Sequence, residues 1–276
     1  MFVVLEGASH GFPTIRWTAF DELIIGSILV IGDSTTHMLM AIMMELILGK
    51  DRFRYPSNGH ELCGHNSRVY DSGDMLWPMR FSFLWVGSAH YCDNNKGLPH
   101  LLDEKEEGLA RFKRGLGKDV DYVVMNAGAH DIAGAVPLED YDRLLPSVFD
   151  MVLNASASAR TQPHRLLWRS TTAHVYPVGD WNAGIHWMNW LAERHARRRG
   201  FAVLDSHQLW AADTELRRAN GPSASHKAFC GDGLHGRHDR NMGTEEGPRW
   251  RTVYCDKLYA EAALAVHHFM QLALKE

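Results

Sequence analysis

No stretch of this chain reaches the roughly 18 uncharged apolar residues of a membrane span. The nearest candidate, HMLMAIMMELILG at 37–49, is short and contains Glu45, so it reads as a buried helix. The start, MFVVLEGASHGF, has no basic n-region and its apolar run is too short for an h-region, so no secretory signal is read there. The compartment stays open, secretion included. An excess of positive charge is missing too. Against 29 Lys and Arg stand 33 Asp and Glu, a formal net charge of −4, which offers no basic face to nucleic acid. The short run Arg197-Arg198-Arg199 falls late in a predicted helix, where it complements the helix C-terminus. There is no CxxC. The four cysteines, Cys63, Cys92, Cys230 and Cys255, are widely spaced, which speaks against structural zinc. They are read as free buried thiols or as two disulfides in one of three connectivities. No repeat, low-complexity segment or Pro/Gly/Ser-rich linker divides the chain, so a single domain over 1–276 is expected.

What is present is an ordinary globular composition, 45% hydrophobic and 22% charged. Short apolar runs alternate with helical patterns, which predicts an α/β fold with a parallel sheet covered on both faces. The strand candidates are 27–32, 80–87, 121–128, 164–171 and 201–206, with a weaker one near 68–73. Helices are predicted at about 37–48, 101–114, 139–157, 183–199 and 250–274. In the last, Tyr254, Leu258, Ala262, Leu264, Ala265, Phe269, Leu272 and Ala273 are expected to form the buried face. Gly200 stands where a C-terminal glycine cap belongs. Regions 50–78 and 207–249 have no clear period and are read as loop excursions.

Ligands of open α/β sheets bind beyond the carboxyl ends of the strands. Four polar clusters are expected along that edge: Gly32-Asp33-Ser34, Asn126 to Asp131, the segment from Ser170 through Gly184, and Gly231 to Gly236. A serine hydroxyl needs a base to take its proton, usually a histidine held by a carboxylate. With 17 histidines, a lone one means little. Asp232 and His235, three residues apart in a glycine-rich turn, can point to the same side, so that the imidazole faces Ser34 while Asp232 holds it. The bland alternatives are that Ser34 merely caps a helix and that Asp232 and His235 form a loop salt bridge. His226, His235, His238 and Asp239 fit no standard zinc spacing, so no metal is expected.

Gly-Asp-Ser after the first strand of this set and Asp-x-x-His before the last helix resemble the SGNH, or GDSL-like, hydrolases. VVMNAGAHD sits where that superfamily has its Gly-x-Asn-Asp-type block, while LLWRSTTAHVYPVGDWNAG and FAVLDSHQLW followed by DGLH are similar to segments of its PC-esterase and trichome-birefringence-like branch. The resemblance covers about residues 27–270. It implies a three-layer α/β/α sandwich around a mostly parallel, flavodoxin-like sheet, acting on esters without a cofactor. Ser34 is then the nucleophile, His235 the base and Asp232 its partner.

The Ser34 N–H would give one oxyanion donor. The family's Gly-x-Asn-Asp pattern reads Gly128-Ala129-His130-Asp131 here, so His130 or Asn126 is the second, and Gly73 is a further candidate. Asp33, Arg169, His174, Trp181 and Asn182 are candidates to line a sugar or acyl site. The expected partner is a small-molecule or carbohydrate ester, with O-acetyl the acyl group by resemblance. Three readings stay open at this point: an esterase, a polysaccharide O-acetyltransferase using the same residues, and an inactive carbohydrate-binding or scaffold protein.

Overall fold

All six residues of Ser27–Gly32 are buried, as a strand paired on both edges and covered on both faces requires. The computed structural model of the chain describes residues 4–7, 13–16, 27–48, 68–71, 80–85, 120–158, 165–172, 181–209 and 260–272. In chain order the elements are β1 (Val4–Gly7), β2 (Pro13–Arg16), β3 (Ser27–Gly32), α1 (Ser34–Leu48), β4 (Arg68–Asp71) and β5 (Arg80–Trp85). They continue with β6 (Val120–Met125), α2 (Ala129–Ala133), α3 (Leu138–Ser158), β7 (Leu166–Arg169), α4 (Trp181–Arg198) and β8 (Ala202–Leu204). One helical turn at 206–209 and a last helix, α5 (260–272), follow.

The six-stranded sheet has the order β4-β5-β3-β6-β7-β8. β5, β3, β6, β7 and β8 are parallel, and β4 closes the β5 edge antiparallel. The parallel part follows the flavodoxin-like order, in which the first strand of the set lies second in space. β1 and β2 form a separate antiparallel pair that the sequence did not announce: four-residue strands are too short for alternation to stand out.

Alternate residues divide the sheet into two faces. Leu29, Ile31, Val123, Met125, Leu166 and Trp168 face α3 and α4. From α3 they receive Tyr141, Leu145, Val148, Phe149 and Val152, a stripe at helical spacing. Phe149 sits edge-on to Trp168 and to Phe201, at centroid distances of 5.1 and 4.9 Å. On the other face Ile28, Val30, Tyr122, Val124 and Leu167 are buried. Tyr122 packs on Phe269 of α5 at 4.7 Å. The right-handed rule for parallel crossovers places α1 on this face as well, because β3 leads to β5 on one side while β6 leads to β7 on the other.

Several expectations shift at their ends. α1 begins at Ser34, three residues before the predicted start. β6 stops at Met125 rather than 128, because Gly128 turns out of the sheet at φ 135°. β7 spans only Leu166–Arg169, and β8 ends at Leu204, where Asp205 starts a helical turn instead of a loop. At the end of α4, the Gly200 N–H donates to Arg197 O and the Phe201 N–H to Ala196 O. With Gly200 at φ 81°, this is the Schellman cap expected from the sequence. In α5 the buried stripe is Glu261, Ala262, Ala265, Val266, Phe269 and Met270, which leaves Leu264 about half exposed rather than in the core. The helix predicted at 101–114 and all four cysteines lie outside the described residues.

Candidate active site

After β3 the chain crosses over on one face, and after β6 on the other, so the carboxyl ends of these neighbouring strands border the crevice where such sheets bind ligands. Three of the four polar clusters meet here: Asp33–Thr36 beyond β3, Asn126–Gly128 beyond β6, and Ser170–Thr171 beyond β7. Among the described residues, no three His, Cys, Asp or Glu side chains gather as metal ligands, and no helix is long and apolar enough to cross a membrane.

The Gly-Asp-Ser turn has a distinct task for each residue. A Cβ on Gly32 would stand 2.6 Å from Thr36 Oγ1, so only glycine lets the first turn of α1 close over the strand end. Asp33 is buried, and its Oδ1 accepts the N–H groups of Thr35 (2.9 Å) and Thr36 (3.2 Å) and the Thr35 hydroxyl (2.7 Å). Asp33 is therefore the N-cap, and its charge complements the positive end of the helix. Ser34 is the first residue inside α1. The first N–H groups of a helix have no partner within it.

The β6 end is clamped from both sides. The Asn126 N–H donates to Ile31 O (2.9 Å), continuing the ladder one residue past the strand. Its side-chain Nδ2 donates to Arg169 O (2.9 Å) and Thr171 Oγ1 (3.2 Å), and its Oδ1 accepts from Thr36 Oγ1 (3.2 Å). An amide nitrogen carries two hydrogens. Both are directed at protein partners here, so Asn126 acts as a latch among β6, β7 and α1. A Cβ on Gly128 would meet Thr171 Oγ1 at 2.6 Å. Ala127 O accepts from Thr171 Oγ1 (2.8 Å) and Tyr141 OH (3.2 Å). Burial, with a smaller contribution from the Asp131 charge, pushes the Tyr141 hydroxyl well above the ordinary tyrosine range. Asn189 pairs with the Thr171 backbone in both directions, each at 2.8 Å.

Arg169 was expected to meet substrate. It is instead fully buried, and four of its N–H groups point at protein. Nε and Nη2 pair with the two carboxylate oxygens of Glu261 on α5, and Nη1 donates to Thr35 Oγ1 (2.8 Å) and Thr36 Oγ1 (3.2 Å). Glu261 is equally buried and also accepts from Ser206 Oγ. No guanidinium surface is left for a ligand.

His130, the second residue of α2, and Trp181 and Asn182, which open α4, are half-buried. Gly73, His174, Asp232 and His235 lie outside the described residues. Sequence reasoning missed Thr35, Thr36, Thr171 and Glu261. Glu261 left one signal: a carboxylate on an otherwise apolar helix face calls for a buried partner.

No protein-family model and no curated protein matches the chain. Solved structures similar to it include LAE5, an alpha/beta hydrolase enzyme from the metagenome of Lake Arreo, Spain. It has 12% identity over 90% of this chain and 99% of that one, with a TM-score of 0.49. The acetyl xylan esterase AlAXEase has 12% identity, covers 85% and 98% of the two chains, and gives a TM-score of 0.46. Axe2, an acetylxylan esterase from Geobacillus stearothermophilus, has 14% identity, covers 81% and 98%, and gives 0.45. The α/β assignment itself rests on the strand order and crossovers of this chain.

Proposed function

We propose that the chain is a serine-dependent esterase of the SGNH, GDSL-like kind. Ser34 Oγ attacks the acyl carbon of an ester while His235, oriented by Asp232, takes its proton. The same imidazolium then protonates the departing alcohol oxygen as the acyl C–O bond breaks. Water, deprotonated by His235, releases the acid from the acyl-enzyme. The Ser34 N–H, at the positive end of α1, is one oxyanion donor, and His130 is the second. The substrate class is a short acyl ester, O-acetyl on a carbohydrate hydroxyl, following the resemblance of the PC-esterase-like segments.

The observation that carries this reading is the cap. Asp33 takes both N–H groups that an N-cap serves, so the cap falls to the residue before Ser34, and Ser34 stands first in the helix at the crevice of the sheet. Purified protein is expected to hydrolyse p-nitrophenyl acetate and to label at Ser34 with a fluorophosphonate, and Ser34→Ala to lose both. Equal hydrolysis by wild type and Ser34→Ala refutes it.

A further inference from the structure

Resting on that reading, we propose that Arg169 and Glu261 are positioning residues for Ser34. A cap needs only Asp33, yet the two residues that follow Ser34 are held a second time, from the side-chain direction. Arg169 Nη1 donates to both threonine hydroxyls, and Thr35 Oγ1 passes its own hydrogen to Asp33 Oδ1. The chain of bonds runs from Ser206 through Glu261 and Arg169 to Thr35 and Asp33, joining the exit of β8, α5, β7 and the first turn of α1.

A fully buried ion pair is a poor device for stability alone, because apolar residues of the same volume often serve as well. What it supplies is geometry. The planar fork meets Glu261 along one edge, and its Nη1 then projects at a fixed angle toward α1. Lysine has the charge but not the fork. With the first turn held at Asp33 and Arg169 together, the Ser34 backbone keeps one direction, so its N–H stays aimed at a single oxyanion position.

Thr35→Val tests this without breaking the ion pair or the backbone cap. The variant is expected to stay folded with a lowered Tm, because one buried guanidinium N–H loses its Thr35 partner, while kcat of the folded protein for p-nitrophenyl acetate falls about tenfold or more, because a misplacement on the order of 1 Å costs about a hundredfold. KM should stay within about twofold, since the ground-state pocket is untouched, and fluorophosphonate labelling should slow with kcat. Thr35→Ser, which restores the hydroxyl, should recover most of the rate. Arg169→Lys should label slowly even where it folds. A folded Thr35→Val that labels and turns over like wild type overturns the positioning role and leaves the esterase reading standing. A wild-type protein that neither labels nor hydrolyses overturns both.

Discussion

The Thr35 N–H donates to Asp33 Oδ1 at 2.9 Å, so the helix that carries Ser34 is capped by the residue before it. Serine is a favoured N-cap in general, and that role was the plain alternative to a nucleophile. Asp33→Ala removes the acceptor from two N–H groups and from the Thr35 and Thr36 hydroxyls. It should cost about 1–2 kcal/mol, whereas Asp33→Asn, which retains an Oδ1, should cost less than about half as much. Urea denaturation of the two variants checks the difference. Equal losses would mean that charge, not capping, dominates at this position.

Gly128 stands at φ 135° with Thr171 Oγ1 2.6 Å from where a Cβ would lie. That hydroxyl cannot yield easily, because it donates to Ala127 O and accepts from Asn126. Gly128→Ala combines backbone strain with a clash and is expected to cost about 2 kcal/mol or more. Gly134 is an internal control: it is exposed at φ −80°, a conformation any residue adopts. Gly134→Ala should fall within about 0.5 kcal/mol of wild type in the same denaturation series.

His207 gives a pH dependence with a definite sign. Burial first, and the neighbouring His186 second, hold its imidazole below the ordinary histidine value, with Asp205 opposing. Its ring centroid lies 5.7 Å from that of His186. A histidine with a depressed folded pKa binds fewer protons folded than unfolded. Its contribution to stability is complete above the unfolded value of about 6.5 and is lost as pH falls from there toward the folded value. His207→Gln should therefore show a smaller fall in Tm between about pH 7 and pH 5 than wild type does. A parallel fall in both proteins would assign the pH sensitivity elsewhere.

These features differ in how far they could be read ahead. The strand at 27–32 is legible to the residue, because the uncharged run from Ser27 to Ile31 leads straight into Gly32-Asp33. Gly200 was legible because a glycine after a basic helix end has one common use. The start of α1 was placed three residues late, because Ser34, Thr35 and Thr36 look like loop residues until the cap at Asp33 is known. The PC-esterase-like segment suggests Arg169 as a residue lining a sugar or acyl site, whereas the fold buries it against Glu261 and the α1 threonines. Its partner Glu261 lies 92 residues away, and nothing local in the sequence announces such a pairing. Asn126 was singled out for its position, while the direction of its amide depended on three other elements.

That amide supplies the sharpest test of the latch. Asn126→Asp turns the nitrogen that serves Arg169 O and Thr171 Oγ1 into an oxygen. Two acceptors then face each other in a fully buried site, and Thr171 already gives its hydrogen to Ala127 O. The expected loss at neutral pH is about 3 kcal/mol, from the unmade bonds and the buried charge together. Protonation would return one donor, able to reach Arg169 O. The introduced carboxyl should therefore titrate above the unfolded aspartate value of about 3.9. With the folded pKa raised, the penalty is largest above it and shrinks as pH falls toward the unfolded value. The stability gap to wild type should thus narrow between neutral pH and about pH 4. A gap that stays constant across that range would mean that the amide nitrogen at 126 does not hold the β6 and β7 ends together.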